Sequence, residues 1–299
     1  MKKVYAILMI SVILGTLLST GVPSVMSAEQ TAKSIATVGN VPPYVCCKWE
    51  EPDDDPVKDG TQVMPNPYPE MKEVVVKACV CDGNGNEDIT NVSAVVTDPE
   101  GNVIAELELK PDENVSCDDC KCIYPGIDCT GYSGVFEMDP CAPAGNYTVN
   151  VTAVDSQNET ASMENVFEYL SLKALAINFD TVAFEGNPGD ENVTGEELFN
   201  NTVVNSTITS VGNDPVDVGI EATDLKDEAG NVIGGENMSA IINGEESVIK
   251  PEHVWDVNLG CNEYTSVTFL LDIPTGTNPG LYEGKIIITP HAALTPTPH

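Results

Sequence analysis

Nine of the ten cysteines fall between Cys46 and Cys141, and the tenth, Cys261, lies 120 residues further on. An odd early count and a lone late residue limit how such a chain can oxidise. If all ten pair within one chain, at least one bridge must tie the early segment to the late one; otherwise Cys261 and one other stay reduced or join neighbouring chains. Disulfides are the expected state of all ten: Cys46, Cys47, Cys79, Cys81, Cys117, Cys120, Cys122, Cys129, Cys141 and Cys261. Cys46 and Cys47 are adjacent in an extended segment, which predicts opposite faces and different partners. Cys79 and Cys81 share one face beside Lys77, opposite Val74, Val76, Ala78 and Val80. The Cys117–Cys141 loop is expected to fold over that face and bridge to it, each closure contributing ~2–4 kcal/mol. The alternative is a metal or redox centre on Cys117, Cys120 and Cys122, which contain a C-x-x-C pair. Redox use of the thioredoxin kind lacks a βαβ context, and Lys121 after Cys120 excludes covalent c-type haem.

Disulfides need an oxidising compartment, and the N-terminus supplies an address. Lys2 and Lys3 precede an uncharged stretch from Val4 to Ala28 that ends in small residues. This is the order of a secretory signal peptide over residues 1–28, cut after Ser27 or Ala28. The alternative is an uncleaved anchor, since Val4 to Met26 is long enough to span a bilayer; Gly21, Pro23 and the small residues favour cleavage. No other segment is long enough to span, so no membrane span is expected after cleavage. Asn-x-Ser/Thr occurs nine times, at Asn91, Asn114, Asn146, Asn150, Asn158, Asn192, Asn200, Asn205 and Asn237. Chance pairing of 24 Asn with 40 Ser and Thr over 299 positions gives about three, so the excess points to N-glycosylation outside the cell. All 13 basic residues are Lys against 47 acids, a net charge of −34. That balance excludes nucleic acid and anionic membrane surfaces as default partners.

Periodicity gives the fold class. Residues 29–43 read as an extended arm. Strands are expected at Tyr44–Trp49, Glu73–Cys81, Ile89–Thr97, Val103–Lys110, Tyr132–Met138, Asn146–Val154 and Ser162–Leu172, with Val103, Ala105, Leu107 and Leu109 facing inward. Glu51–Pro69 is acidic and Pro-rich and reads as loop. A second set of strands is expected at Leu175–Phe179, Thr202–Ser210, Val216–Thr223, Ser239–Ile242, Tyr264–Ile273 and Tyr282–Thr289, with one helical turn around Gly195–Asn200. Short strands, turn signals and almost no helical period predict an all-β chain of two tandem immunoglobulin-like sandwiches, over 44–172 and 173–290, with a Cys-rich loop in the first and a Thr/Pro tail over 291–299.

Three stretches resemble a known group. Ala144-Gly145-Asn146-Tyr147-Thr148-Val149-Asn150-Val151-Thr152-Ala153-Val154-Asp155 is similar to the last hairpin of bacterial and archaeal immunoglobulin-like domains. Pro274-Thr275-Gly276 followed by Gly280-Leu281-Tyr282-Glu283-Gly284-Lys285-Ile286 is similar to a final-strand pattern of archaeal surface sandwiches. Trp49-Glu50-Glu51-Pro52-Asp53-Asp54, Gly60-Thr61-Gln62 and Asp82–Ile89 resemble secreted multi-domain surface proteins of methanogen-type archaea. The resemblance implies an extracellular, non-catalytic, structural or adhesive role.

Other chemistry is sparse. Asp82, Asn84, Asn86 and Asp88 space oxygen ligands at every second residue, like half of a calcium loop. The Glu such a loop needs falls at Ser93, so the competing reading is an Asx-rich turn. Beyond calcium no cofactor is expected. Gly131-Tyr132-Ser133-Gly134-Val135 misses the nucleophile-elbow pattern at its last position. His291 and His299 read as tail residues, leaving His253 as a lone base. The expected role is therefore a non-enzymatic, glycosylated subunit of a cell-surface layer, sheath or filament, associating with itself or with other surface proteins. In that role the 29–40 segment adds a strand to a neighbour's open sheet edge. The alternatives are a secreted adhesin or ligand-binding module and the Cys117/Cys120/Cys122 metal or redox protein.

Overall fold

A computed structural model describes residues 32–124 and 126–293. The expected signal peptide over 1–28 and most of the Thr/Pro tail lie outside the described residues. Chain contacts divide the molecule at Gly39/Asn40. Residues 32–43 carry no regular element. The described chain is all-β, with no α-helix.

The first core lies between two sheets. Its strands are β1 (Tyr44–Glu51), β2 (Thr61–Val63), β3 (Lys72–Cys81), β4 (Ile89–Thr97), β5 (Val103–Glu108), β6 (Lys110–Pro111), β7 (Thr130–Met138), β8 (Gly145–Asp155) and β9 (Thr160–Tyr169). One sheet has the order β1-β3-β7-β6 and the other β2-β9-β8-β4-β5. The chain leaves β1 and returns through β2, which runs parallel to β9. These two sheets carry the strand order of an immunoglobulin-like sandwich. Alternation drives the packing: Val74, Val76, Ala78 and Val80 of β3 face Val92, Ala94 and Val96 of β4 and Tyr147, Val149, Val151 and Ala153 of β8. Tyr147 stacks on Phe167 at 5.4 Å between ring centroids. Its hydroxyl donates to the Pro143 carbonyl at 2.9 Å, the tyrosine corner that pins the start of this strand in such sandwiches.

The second core has its own sheets. Leu175–Ile177, Thr207–Ser210, Tyr264–Leu271, Met238–Ile242 and Glu245–Val248 pair in that order, and Val193–Thr194 also joins Tyr264–Leu271. Val216–Ala222 forms the centre of a second ladder between His253–Leu259 and Ile286–Ala292. Trp255, Phe269, Ile220 and Ile242 fill the space between them. A register shift opposite Val216–Val218 gives His253–Leu259 extra residues, which lie over Asp217. There its carboxylate accepts from the Val257 and Asn258 amides, both at 3.0 Å, so the buried charge is satisfied.

Several expectations are corrected. Gly195–Asn200 is no helical turn; Glu196–Phe199 is a strand, paired with Thr181–Ala183 and Thr202–Val203. The Glu51–Pro69 loop holds β2, whose three residues are too few to show a period between prolines. Val103 is 54% exposed, because it pairs at the sheet edge beyond a register shift between Val96 and Thr97. The final strand runs through Ala292, so His291 belongs to the sheet opposite Asp217 and not to the tail. Strands at Glu245–Val248 and His253–Leu259 were unmarked by alternation.

Candidate functional site

The outer face of β1 and β3 carries a disulfide-stapled lobe. Cys79 pairs with Cys117, Cys81 with Cys122 and Cys47 with Cys120. The Cys-rich loop thus folds over the face that Cys79 and Cys81 share, as their spacing predicts. The lobe has a small core of its own, in which Val115 packs with these cysteines beside Trp49, Tyr124 and Ile127. Gly131 permits the approach, since a Cβ there would stand 2.5 Å from the Val115 carbonyl. The Tyr124 hydroxyl donates to the Pro42 carbonyl at 2.9 Å, tying the lobe to the entry of β1.

The expectation that Cys46 and Cys47 face opposite ways is overturned. Cys46 is the extra residue of a bulge, because Val45 pairs with Val80 and Cys47 with Cys79. A bulge sets two residues against one and breaks the alternation, so both cysteines enter the lobe cluster. The expectation that all ten cysteines are bridged is corrected too: Cys46 and Cys129 are free thiols, with their sulfurs 3.0 Å apart. The Cys46 sulfur also lies 3.1 Å from that of Cys81. Burial pushes the Cys46 thiol up to about 12, with the hydrogen bond and charge of Cys129 adding to the rise. Such a thiol stays protonated at neutral pH and is a poor nucleophile. The C-x-x-C reading is also corrected. Cys117, Cys120 and Cys122 go to three different partners, because successive residues of the loop meet different positions on β1 and β3. The sulfurs that gather are those of Cys46, Cys81, Cys122 and Cys129, and separately Cys47, Cys79 and Cys120. The tenth cysteine closes the odd count: Cys261 pairs with Cys141 across the two cores.

Beside the lobe lies an acidic cluster that shares Asp82 and Asp88 with the expected calcium set. Carboxylate oxygens of Asp82, Asp88 and Asp155 lie within 4.8 Å of one another. The Asn84 side chain accepts from the Val41 amide at 2.9 Å. Asn86 accepts from the Asp82 amide at 3.2 Å and donates to the Asp128 carbonyl and, at 3.1 Å, to the Thr130 hydroxyl. Those bonds hold the turn to the lobe. Asp155, at the end of β8, adds a third carboxylate to Asp82 and Asp88. Its two oxygens accept from the Gln157 and Glu159 amides and from the Asn40 side chain, each at 2.8 Å. Burial works against the Asp155 charge, and these donors outweigh it and hold its carboxyl below the ordinary value. Asp82 behaves oppositely. Burial pushes its carboxyl up, the Asn84 amide draws it back, and Asp88 and Asp155 add to the rise.

The remaining candidates are scattered. Seven of the nine sequon asparagines are exposed, and Asn150 and Asn237 are half-buried. Along β8, alternation puts Asn146 and Asn150 on the face opposite buried Tyr147, Val149 and Val151; Asn146 is exposed as that predicts, whereas Asn150 is only half-exposed. His253 packs edge-on against Trp255 with ring centroids 4.5 Å apart. His291 pairs with Glu252 at 2.9 Å. No histidine joins a metal-competent cluster among the described residues. No helix among the described residues is long and apolar enough to cross a membrane.

No protein-family model and no curated protein matches the chain. Solved structures with some likeness include dimeric latent PorU from Porphyromonas gingivalis, at 14% identity and a TM-score of 0.28, over 85% of this chain and 20% of that one. The C-terminal domain of the Streptococcus pyogenes antigen I/II-family protein AspA is 12% identical with a TM-score of 0.25, over 84% of this chain and 96% of that one. The Streptococcus agalactiae AgI/II polypeptide BspA C-terminal domain is 12% identical with a TM-score of 0.23, over 84% of this chain and all of that one. This chain spans about a fifth of PorU and 13% of an Escherichia coli alpha-2-macroglobulin. Superposition this loose carries no inference about activity or partners.

Proposed function

We propose that the protein is an extracellular, non-catalytic recognition module of the adhesin kind, presenting the disulfide-stapled lobe as its binding surface. The observation that carries this reading is the Cys141–Cys261 bridge. It satisfies the odd cysteine inside one chain and so removes the covalent argument for a layer or filament subunit, which needed Cys261 to reach a neighbour. Four disulfides suit an oxidising compartment. Exposed sequons suit the same place and point to glycans that keep most of the remaining surface solvated. A loop held at three points by bridges loses little entropy on binding, which is what a preorganised recognition surface requires.

Light scattering on the non-reduced secreted protein tests the reading, together with peptide mapping and binding of the labelled protein to intact cells. A monomer with the Cys141–Cys261 peptide from a single chain, and saturable binding, is the expected result. A ladder of multimers that collapses on reduction returns the weight to a covalent assembly subunit.

A further inference from the structure

We infer that Asp82, Asp88 and Asp155 form a binding site for a divalent cation of the calcium class, clamping three segments at one pole of the first sandwich. The three carboxylates come from the end of β3, the turn before β4 and the end of β8. Their closest approach places oxygens of all three within 4.8 Å. Clustered acids alone are common on so acidic a chain, and a second observation sets this group apart. Asp82 is fully buried, and its Oδ2 has no hydrogen-bond partner. A buried carboxylate oxygen left unsatisfied is costly unless something else meets it. The donors that reach the cluster are neutral: the Asn84, Gln157 and Glu159 amides, the Asn40 side chain and the Ser156 hydroxyl. Among the described residues no ion pair engages any of the three acids. A hard cation supplies both the missing partner and the missing positive charge.

The donor set favours calcium over magnesium. Magnesium demands near-ideal octahedral geometry and gives up its waters reluctantly, which suits poorly three carboxylates fixed on three separate segments. Calcium also accepts irregular oxygen sets completed by backbone carbonyls and water. The site adjoins the lobe through Asn86, which bonds both the Asp82 amide and the Asp128 carbonyl, so occupancy fixes the base of the lobe as well as the pole.

Calorimetric titration of the full secreted protein with calcium chloride at physiological salt, beside magnesium chloride, tests the site. Thermal melts in calcium or in chelator provide a second readout. One saturable calcium site per chain is expected, at least tenfold tighter than magnesium, with a melting temperature several degrees higher in calcium. Asp82→Asn and Asp155→Asn should each weaken the site at least tenfold and abolish the calcium-dependent rise. Asp82→Asn should also leave the melting temperature in chelator unchanged or higher, since it removes an unpaired buried charge. That result separates lost binding from a damaged fold. Only weak, multisite binding that is equal in the wild type and both variants would mean diffuse ion condensation on an acidic surface, and would overturn the inference. Absence of any calcium response in the wild type would overturn it too.

Discussion

Two turns in different cores solve the same problem with the same residues. Asp98-Pro99-Glu100-Gly101-Asn102 and Asp227-Glu228-Ala229-Gly230-Asn231 share an Asp, a Gly three positions on and an Asn at the fourth. In each the Asp amide donates to the Asn carbonyl, and the Gly amide donates to the Asp carbonyl. In each the Asp carboxylate accepts from the backbone and side-chain amides of the Asn. Those bonds hold both carboxyls below their ordinary value, with the Asn side chain as the largest cause. The glycines are required because φ is +89° at Gly101 and +86° at Gly230. A Cβ at either position would meet nothing within 4 Å, so substitution acts through the backbone alone. Gly101→Ala and Gly230→Ala are each expected to destabilise by about 1–2 kcal/mol, measured by chemical denaturation, with no change in binding. At this scale the sequence is most legible, because a turn's chemistry lies within five residues. The acidic cluster was only half legible for the opposite reason. Asp82 and Asp88 are six residues apart, while Asp155 reaches them only through the pairing of β4 with β8.

At the scale of the element, β1 shows what alternation cannot reveal. Read as a plain strand, it buries Val45, Cys47, Trp49 and Glu51 on one face. The bulge at Cys46 shifts that phase, so beyond it Lys48 and Glu50 point into the first core. Both side chains are fully buried, and Lys48 Nζ meets Glu50 Oε1 at 2.7 Å. Asn165 of β9 completes the group, accepting from Lys48 and donating to Glu50 at 2.9 Å. Desolvation draws the Lys48 ammonium below its ordinary value, and Glu50 opposes the shift. Removing one charge strands the other. Lys48→Met is therefore expected to destabilise by about 3–5 kcal/mol, whereas Lys48→Met with Glu50→Leu should recover most of that loss. Equal losses in the single and double variants, by denaturant titration, would show that the pair does not act as a unit. The same phase shift sends Cys47 and Trp49 out to the lobe, so the bulge makes both the buried pair and the candidate binding surface. A strand such as β8 was legible because Tyr147, Val149, Val151 and Ala153 give it one apolar face. The bulge was not, since it depends on how β3 pairs with β1 and leaves no mark of its own in the sequence.

At the scale of the whole molecule, the parity of the cysteines was legible and its partner was not. Nine and one require a crossing bridge if all pair internally, but only the folded chain selects Cys141. The junction it closes is also held by hydrogen bonds, chiefly between the Asn213 side chain and backbone groups. Asn213 donates to the Ala142 and Leu170 carbonyls at 3.0 and 3.1 Å, and accepts from the Leu172 amide at 2.7 Å. Tyr68 donates its amide to the Val211 carbonyl at 2.8 Å. Gly212 admits no side chain, since a Cβ would stand 1.9 Å from the Leu172 carbonyl oxygen. Two cores latched this way should unfold together, because parting them means breaking the hydrogen bonds while the bridge still limits the gain in chain entropy. Calorimetry of the wild type is expected to show one cooperative transition. Cys141→Ser with Cys261→Ser opens a loop of 120 residues, which loop-closure arithmetic values at about 4–5 kcal/mol. Two separated transitions are then expected, the lower one shifted down. A single unshifted transition in that variant would mean that Asn213 and its neighbours couple the cores unaided. The bridge would then serve only to keep Cys261 from reaching another chain, which the recognition-module reading also requires.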